Sequence, residues 1–205
     1  MVAAQAQTRG TSRFALPAIS SSLVVLGIAV VGFAALSLTM PASVPRFDAD
    51  QSSVILVVPF IAMAAIGTLI LSRQPRNLVG WLVLVSGVLL AVGQPGPEYV
   101  YRVLYAHDVP RDWAVPLGLV SSLAYGVSAL ELVILPLVFP DGHLPSPRWR
   151  ILVIASVVAA VVGLLSSILD PAALGDGHRQ LANPLGVPGA HTVLSTINSF
   201  GSVFT

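Results

Sequence analysis

The 205 residues are 55% hydrophobic and only 9% charged, with a mean hydropathy of +0.87, a balance that excludes an ordinary soluble domain and makes lipid the solvent for most of the chain. All ten basic residues are arginine and the formal net charge is +1, which excludes a broadly basic nucleic-acid surface. No cysteine is present, so disulfides, thiolate metal sites and thiol nucleophiles are excluded.

A bilayer core of about 30 Å calls for about 20 apolar helical residues, because every backbone N–H and C=O within it must be paired inside the segment. In chain order, residues 1–18 read as a cytoplasmic amino-terminal segment. Spans follow near Ile19 to Met40, Ser53 to Ser72, Leu78 to Gly93, Ala114 to Phe139 and Ile151 to Leu169. A sixth apolar run starts near Ala190 and is still open at Thr205, so the expectation is an all-α polytopic transmembrane bundle over residues 19–205, with about six spans and the last incomplete. The first run is too long for a signal-peptide core and its surroundings at Met40 to Ser43 make a weak cleavage pattern, which favours an uncleaved anchor.

Alternate loops differ in charge. One set carries Arg9, Arg13, Arg73, Arg76, Arg148 and Arg150 against Asp141. The other carries Arg46, Arg102, Arg111 and Arg179 against Asp48, Asp50, Glu98, Asp108, Asp112, Asp170 and Asp176. Cytoplasmic loops retain arginine near span ends, which puts the first set and the amino terminus on the cytoplasmic side of the plasma membrane.

Two hairpins belong to that side. In the first, Pro75 stops a helix, Asn77 is suited to cap the next, Arg73 and Arg76 meet anionic head groups, and Trp81 sits at interface depth. In the second, Pro140, Asp141 and Gly142 provide a helix stop, a turn acceptor and a residue tolerant of positive φ, while Arg148, Trp149 and Arg150 anchor the following span. On the opposite side, Tyr99, Tyr101, Tyr105 and Trp113 form an aromatic belt in the loop from Gln94 to Trp113, and the stretch from Glu98 to Ala106 is compatible with a short helix lying on the membrane.

Glu131 is the conspicuous residue within a span. A lone carboxylate is costly there, so the structural reading is a protonated or hydrogen-bonded glutamate closing an interhelical contact, with Ser128 or a serine on another helix. The functional reading is a site that responds to a signal or an ion.

The second hairpin, Phe139 to Ser146 followed by Arg148-Trp149-Arg150, resembles the Phe-Pro-Asp-Gly-Arg-Leu-Pro-Ser and Arg-Trp-Arg of the multi-span amino-terminal regions of actinobacterial sensor histidine kinases. The stretches Arg73 to Trp81, Tyr101 to Ala106 and Asn183 to Gly186 resemble the same regions in the expected order, so the likeness runs from about Leu71 to Gly189. His143 stands where arginine is usual and Leu78 where proline is usual. The resemblance implies a membrane input region that signals to a cytoplasmic kinase core, works as a homodimer, and reaches a response regulator only through that core.

The kinase core itself is outside these residues. His107, His143, His178 and His191 lie in loops or at a span start, and no glycine-rich nucleotide-binding segment is present. No catalytic, cofactor or metal constellation is read from the spacing, and the only partners expected directly are lipid and a second copy of the chain. A standalone polytopic protein of structural or small-molecule transport type is the alternative, although internal repeats and several intramembrane polar residues would be expected of a transporter.

Overall fold

The computed structural model describes residues 2–42, 44, 57–139, 144, 146–172, 174 and 180–202, with side chains described from Leu16 to Ile197. Helices α1 (Val2–Leu38), α2 (Val57–Arg73), α3 (Leu78–Gly93), α4 (Pro95–Tyr101), α5 (Ala114–Val138), α6 (Trp149–Leu169) and α7 (His191–Ser202) account for most of them. A π-helical turn at Arg102–Ala106 follows α4, and a 3-10 turn at Arg111–Trp113 leads into α5. Among the described residues there is no strand.

Among the described residues, four helical segments are long and apolar enough to cross a membrane: Leu16–Leu38, Leu78–Ala106, Arg111–Val138 and Trp149–Leu169. The apolar α2 has 17 residues and α7 has 12, which at about 1.5 Å per residue is roughly 26 and 18 Å. Both fall short of the hydrocarbon thickness as described. Residues 53–56, assigned to the second span from sequence, lie outside the described residues.

The third span differs from the sequence reading, which ends it at Gly93. Gln94 keeps right-handed helical angles (φ −65°, ψ −44°), and Pro95 takes the first position of α4, where its missing N–H costs nothing. Helical structure therefore continues through Ala106, and α4 packs against α5 and α1. It stops at His107, whose left-handed backbone (φ 55°) closes the turn through a hydrogen bond from its N–H to Arg102 O.

The outer surface of the bundle is apolar, unlike that of a water-soluble fold, while several polar groups lie inside beside the apolar core. Leu16, Val24, Ile28, Val31, Val58, Leu69, Ile151 and Ile154 point outward, whereas Ser86, Glu98, Arg102, Ser121, Ser128 and Ser166 are buried. Lipid makes that arrangement favourable, since outward apolar side chains cost nothing there and polar groups find partners inside.

The most extensive contact is that of α2 on α3, and it is made backbone to backbone. A Cβ placed on Gly67 would lie 2.5 Å from Leu84 N, and one on Gly87 would lie 2.7 Å from Phe60 O. Small residues allow this approach, which replaces the hydrophobic drive that lipid removes. Ile19, Leu26 and Ala29 of α1 join Ala64 and Leu71 of α2 and Leu84 and Ala91 of α3 in one core. A second core caps one end, where Val100, Val103, Leu104 and Ala114 meet Leu174 and Leu181. By contrast, α6 buries only Ser166 among its residues.

Candidate functional site

The residues that carry chemistry gather along the face where α3 and α4 meet α5. Positions 118, 121, 125, 128 and 131 of α5 advance by three or four residues, so they share one side of the helix. Small residues on the facing helices let this side approach closely. A Cβ on Gly93 would lie 2.9 Å from the Tyr125 ring, and one on Gly96 would lie 2.5 Å from Leu117 O. The result is a polar seam inside an otherwise apolar bundle.

Glu131 sits on this seam, half-buried, and accepts a hydrogen bond at Oε2 from Ser86 Oγ of α3 at 2.8 Å. Ser86 lies eight residues into α3 and Glu131 seven residues before the end of α5, so each is roughly 10 to 12 Å from the same end of the bundle. The partner is a serine on another helix; Ser128 instead donates to Tyr125 O at 2.9 Å. Farther along, Tyr125 is hydrogen-bonded to the Gln94 side chain, and Glu98 is buried nearby. Ser121 Oγ is buried there with no hydrogen-bond partner among the described residues.

At the end of the bundle that holds Ala106 and Ala114, Arg102 forms a clasp. Its Nε donates to Asp108 Oδ1 at 3.1 Å, its Nη2 bonds Asp108 Oδ2, and its Nη1 donates to Thr39 Oγ1 of the segment after α1 at 2.7 Å. The guanidinium hydrogen bond holds the Asp108 carboxyl below the ordinary aspartate range. A second polar knot joins α6 to α7: Asn183 Nδ2 donates to Ile168 O and Asp170 O, and Asp170 Oδ1 meets His191 Nδ1 at 2.8 Å.

The aromatic belt is ordered by these neighbours. Tyr99 donates its hydroxyl to Pro110 O at 2.8 Å, Tyr101 and Tyr105 stack with ring centroids 6.0 Å apart, and Trp113 is exposed. At the opposite end, Asn77 caps α3 by accepting from Gly80 N at 3.0 Å, and its Nδ2 donates to Gln74 Oε1 at 2.9 Å. Trp81 Nε1 donates to Pro75 O at 3.0 Å and so ties the turn to α3. Arg73, Arg76, Arg148, Trp149 and Arg150 are exposed at the helix ends. Pro140, Asp141 and Gly142 lie outside the described residues.

Ser86, the Arg102 clasp and the Asp170 knot were not singled out from sequence. Serine inside an apolar run looks like any small residue, and the clasp pairs groups separated by a backbone reversal at His107. Among the described residues, no group of three or more histidine or acidic side chains is placed to hold a metal ion. No protein-family model, curated protein or solved structure matches this chain.

Proposed function

We propose that the chain is the membrane-embedded input region of a two-component sensor histidine kinase. In this reading it is a multi-pass protein of the plasma membrane with about six spans and a cytoplasmic amino terminus. It works as a homodimer and reaches its response regulator through a kinase core outside these 205 residues.

The observation that carries the proposal is the Ser86 to Glu131 hydrogen bond, because of what it connects. It ties α3 to α5, and those two helices begin and end at the hairpins whose sequences, Arg73 to Trp81 and Phe139 to Arg150, resemble the kinase input regions. A signal that breaks or remakes this buried contact shifts two cytoplasmic hairpins relative to each other, which is the kind of bistable packing element a switch requires. The separation of Arg73, Arg76, Arg148 and Arg150 from Glu98, Asp108, Asp112 and Asp170 at opposite ends supports the orientation.

The test is phosphorylation of the complete gene product in lipid nanodiscs. Labelled ATP is expected to give a phosphohistidine in a cytoplasmic helix, at a rate that Ser86→Ala and Glu131→Gln alter. A folded gene product that forms no phosphohistidine refutes the kinase reading. Unchanged rates in both variants across pH and ligand conditions would remove the role given to Glu131.

A further inference from the structure

At the arginine-rich end, the close of α2, the turn into α3 and Phe139 line an open cleft of about 670 Å³. Its polar wall is Arg73, Gln74 and Asn77, and its apolar wall includes Leu69, Ile70 and Phe139. We infer that this cleft holds the phosphate of an anionic glycerophospholipid, with one acyl chain lying along α2. The inference rests on the membrane reading alone and is independent of any kinase activity.

The donors are arranged for an anion. Among the described residues Arg73 has no carboxylate partner, so its guanidinium retains the forked geometry that matches phosphate oxygens. Asn77 spends its amide on Gly80 N and on Gln74 Oε1. This fixes the Gln74 carboxamide by its oxygen and leaves its nitrogen as a second donor beside Arg73. Arg76 on the same turn and Arg148 and Arg150 at the start of α6 raise the local positive potential, four arginines with Arg73 against Asp141 alone in the sequence of the two hairpins.

Arg73 at the last position of α2 also offsets the helix dipole, but that role does not require the apolar wall. Leu69 and Ile66 are exposed and lie four and seven residues before Arg73. They form one outward stripe within about 10 Å of the guanidinium along the axis, inside a single leaflet of about 15 Å. Phe139, 66% exposed, closes the cleft from the end of α5. A free phosphate has no use for that stripe, whereas an acyl chain covers it.

The experiment uses the full chain in nanodiscs of phosphatidylcholine and phosphatidylglycerol in equal amounts, followed by native mass spectrometry of retained lipid. Preferential retention of phosphatidylglycerol is expected. Arg73→Gln should weaken it about tenfold, the usual size of a lost charged hydrogen bond, with Arg73→Lys intermediate and Arg111→Gln at the other end unchanged. Phe139→Ala should weaken retention of both lipids. Equal phosphatidylglycerol preference in the wild type and Arg73→Gln overturns the inference. Displacement of the lipid by inorganic phosphate binding as tightly also overturns it, since the acyl chain would then contribute nothing.

Discussion

The Ser86 to Glu131 contact permits a quantitative test, because it is a single bond between two helices that pack against each other. Ser86→Ala removes the donor and leaves Glu131 Oε2 without it. Glu131→Leu removes the acceptor together with a carboxyl group that is expensive in lipid. The first change is expected to destabilise the bundle by about 1 kcal/mol, in the range measured for interhelical hydrogen bonds in membranes. The second is expected to be near neutral, since lost bonding is offset by relief of carboxyl burial.

The double variant isolates the pair. Once Glu131 is leucine, Ser86→Ala should cost only a few tenths of a kcal/mol, giving a coupling of about 0.6 to 1 kcal/mol. That is roughly a three- to fivefold change in the unfolding constant, readable by far-ultraviolet circular dichroism as mixed micelles are titrated with a denaturing detergent. Glu131→Gln keeps a carbonyl acceptor and should retain most of the stability. A coupling within about 0.3 kcal/mol of zero would mean that the bond contributes nothing specific, and the argument for a switch at this contact would fail.

Three other outcomes are expected. Gly87→Ala should loosen α2 from α3, because the added methyl meets Phe60 O at 2.7 Å and Ala64 N at 2.8 Å; a loss of about 1 to 3 kcal/mol is checked in the same micelle titration, with Gly163→Ala, whose Cβ meets nothing within 4 Å, as the neutral comparison. Asp108 has its pKa lowered by the Arg102 hydrogen bond, so its contribution is complete above the ordinary aspartate range and disappears as pH falls through the lowered value; Asp108→Asn should abolish that acid-side loss in an unfolding series against pH. Finally, the chain has no cysteine, so single cysteines at Ser146 and Val109 report topology directly. A membrane-impermeant thiol reagent applied to intact cells should label Val109→Cys and spare Ser146→Cys; the opposite pattern refutes the proposed orientation.

The helical class and the apolar character of the spans are legible without coordinates, because backbone pairing in lipid leaves few alternatives to a long apolar helix. The cap of α3 was equally legible. Asn77 after Pro75 is a local capping signal, and it caps within three residues of itself. The end of that helix was not: the apolar run stops at Gly93, and the residues after it read as a loop. In the folded chain Pro95 begins α4, and packing of α4 on α5 and α1 carries the rod to Ala106.

Glu131 stood out from composition alone because a carboxylate in a span is rare and costly, but its partner depended on the register between α3 and α5. Close approach of Gly93 to the Tyr125 ring and of Gly96 to Leu117 O accompanies that register, which brings residues 45 positions apart within hydrogen-bond distance. The same holds for Arg102 and Thr39, 63 positions apart, and for the cleft shared by Arg73 and Phe139. Residue type and spacing determined which segments are apolar helices and which side chains are out of place in them. Which of those side chains meet was decided by helix packing, because each contact depends on the rotation and depth of two helices at once, and neither helix's sequence records the other's.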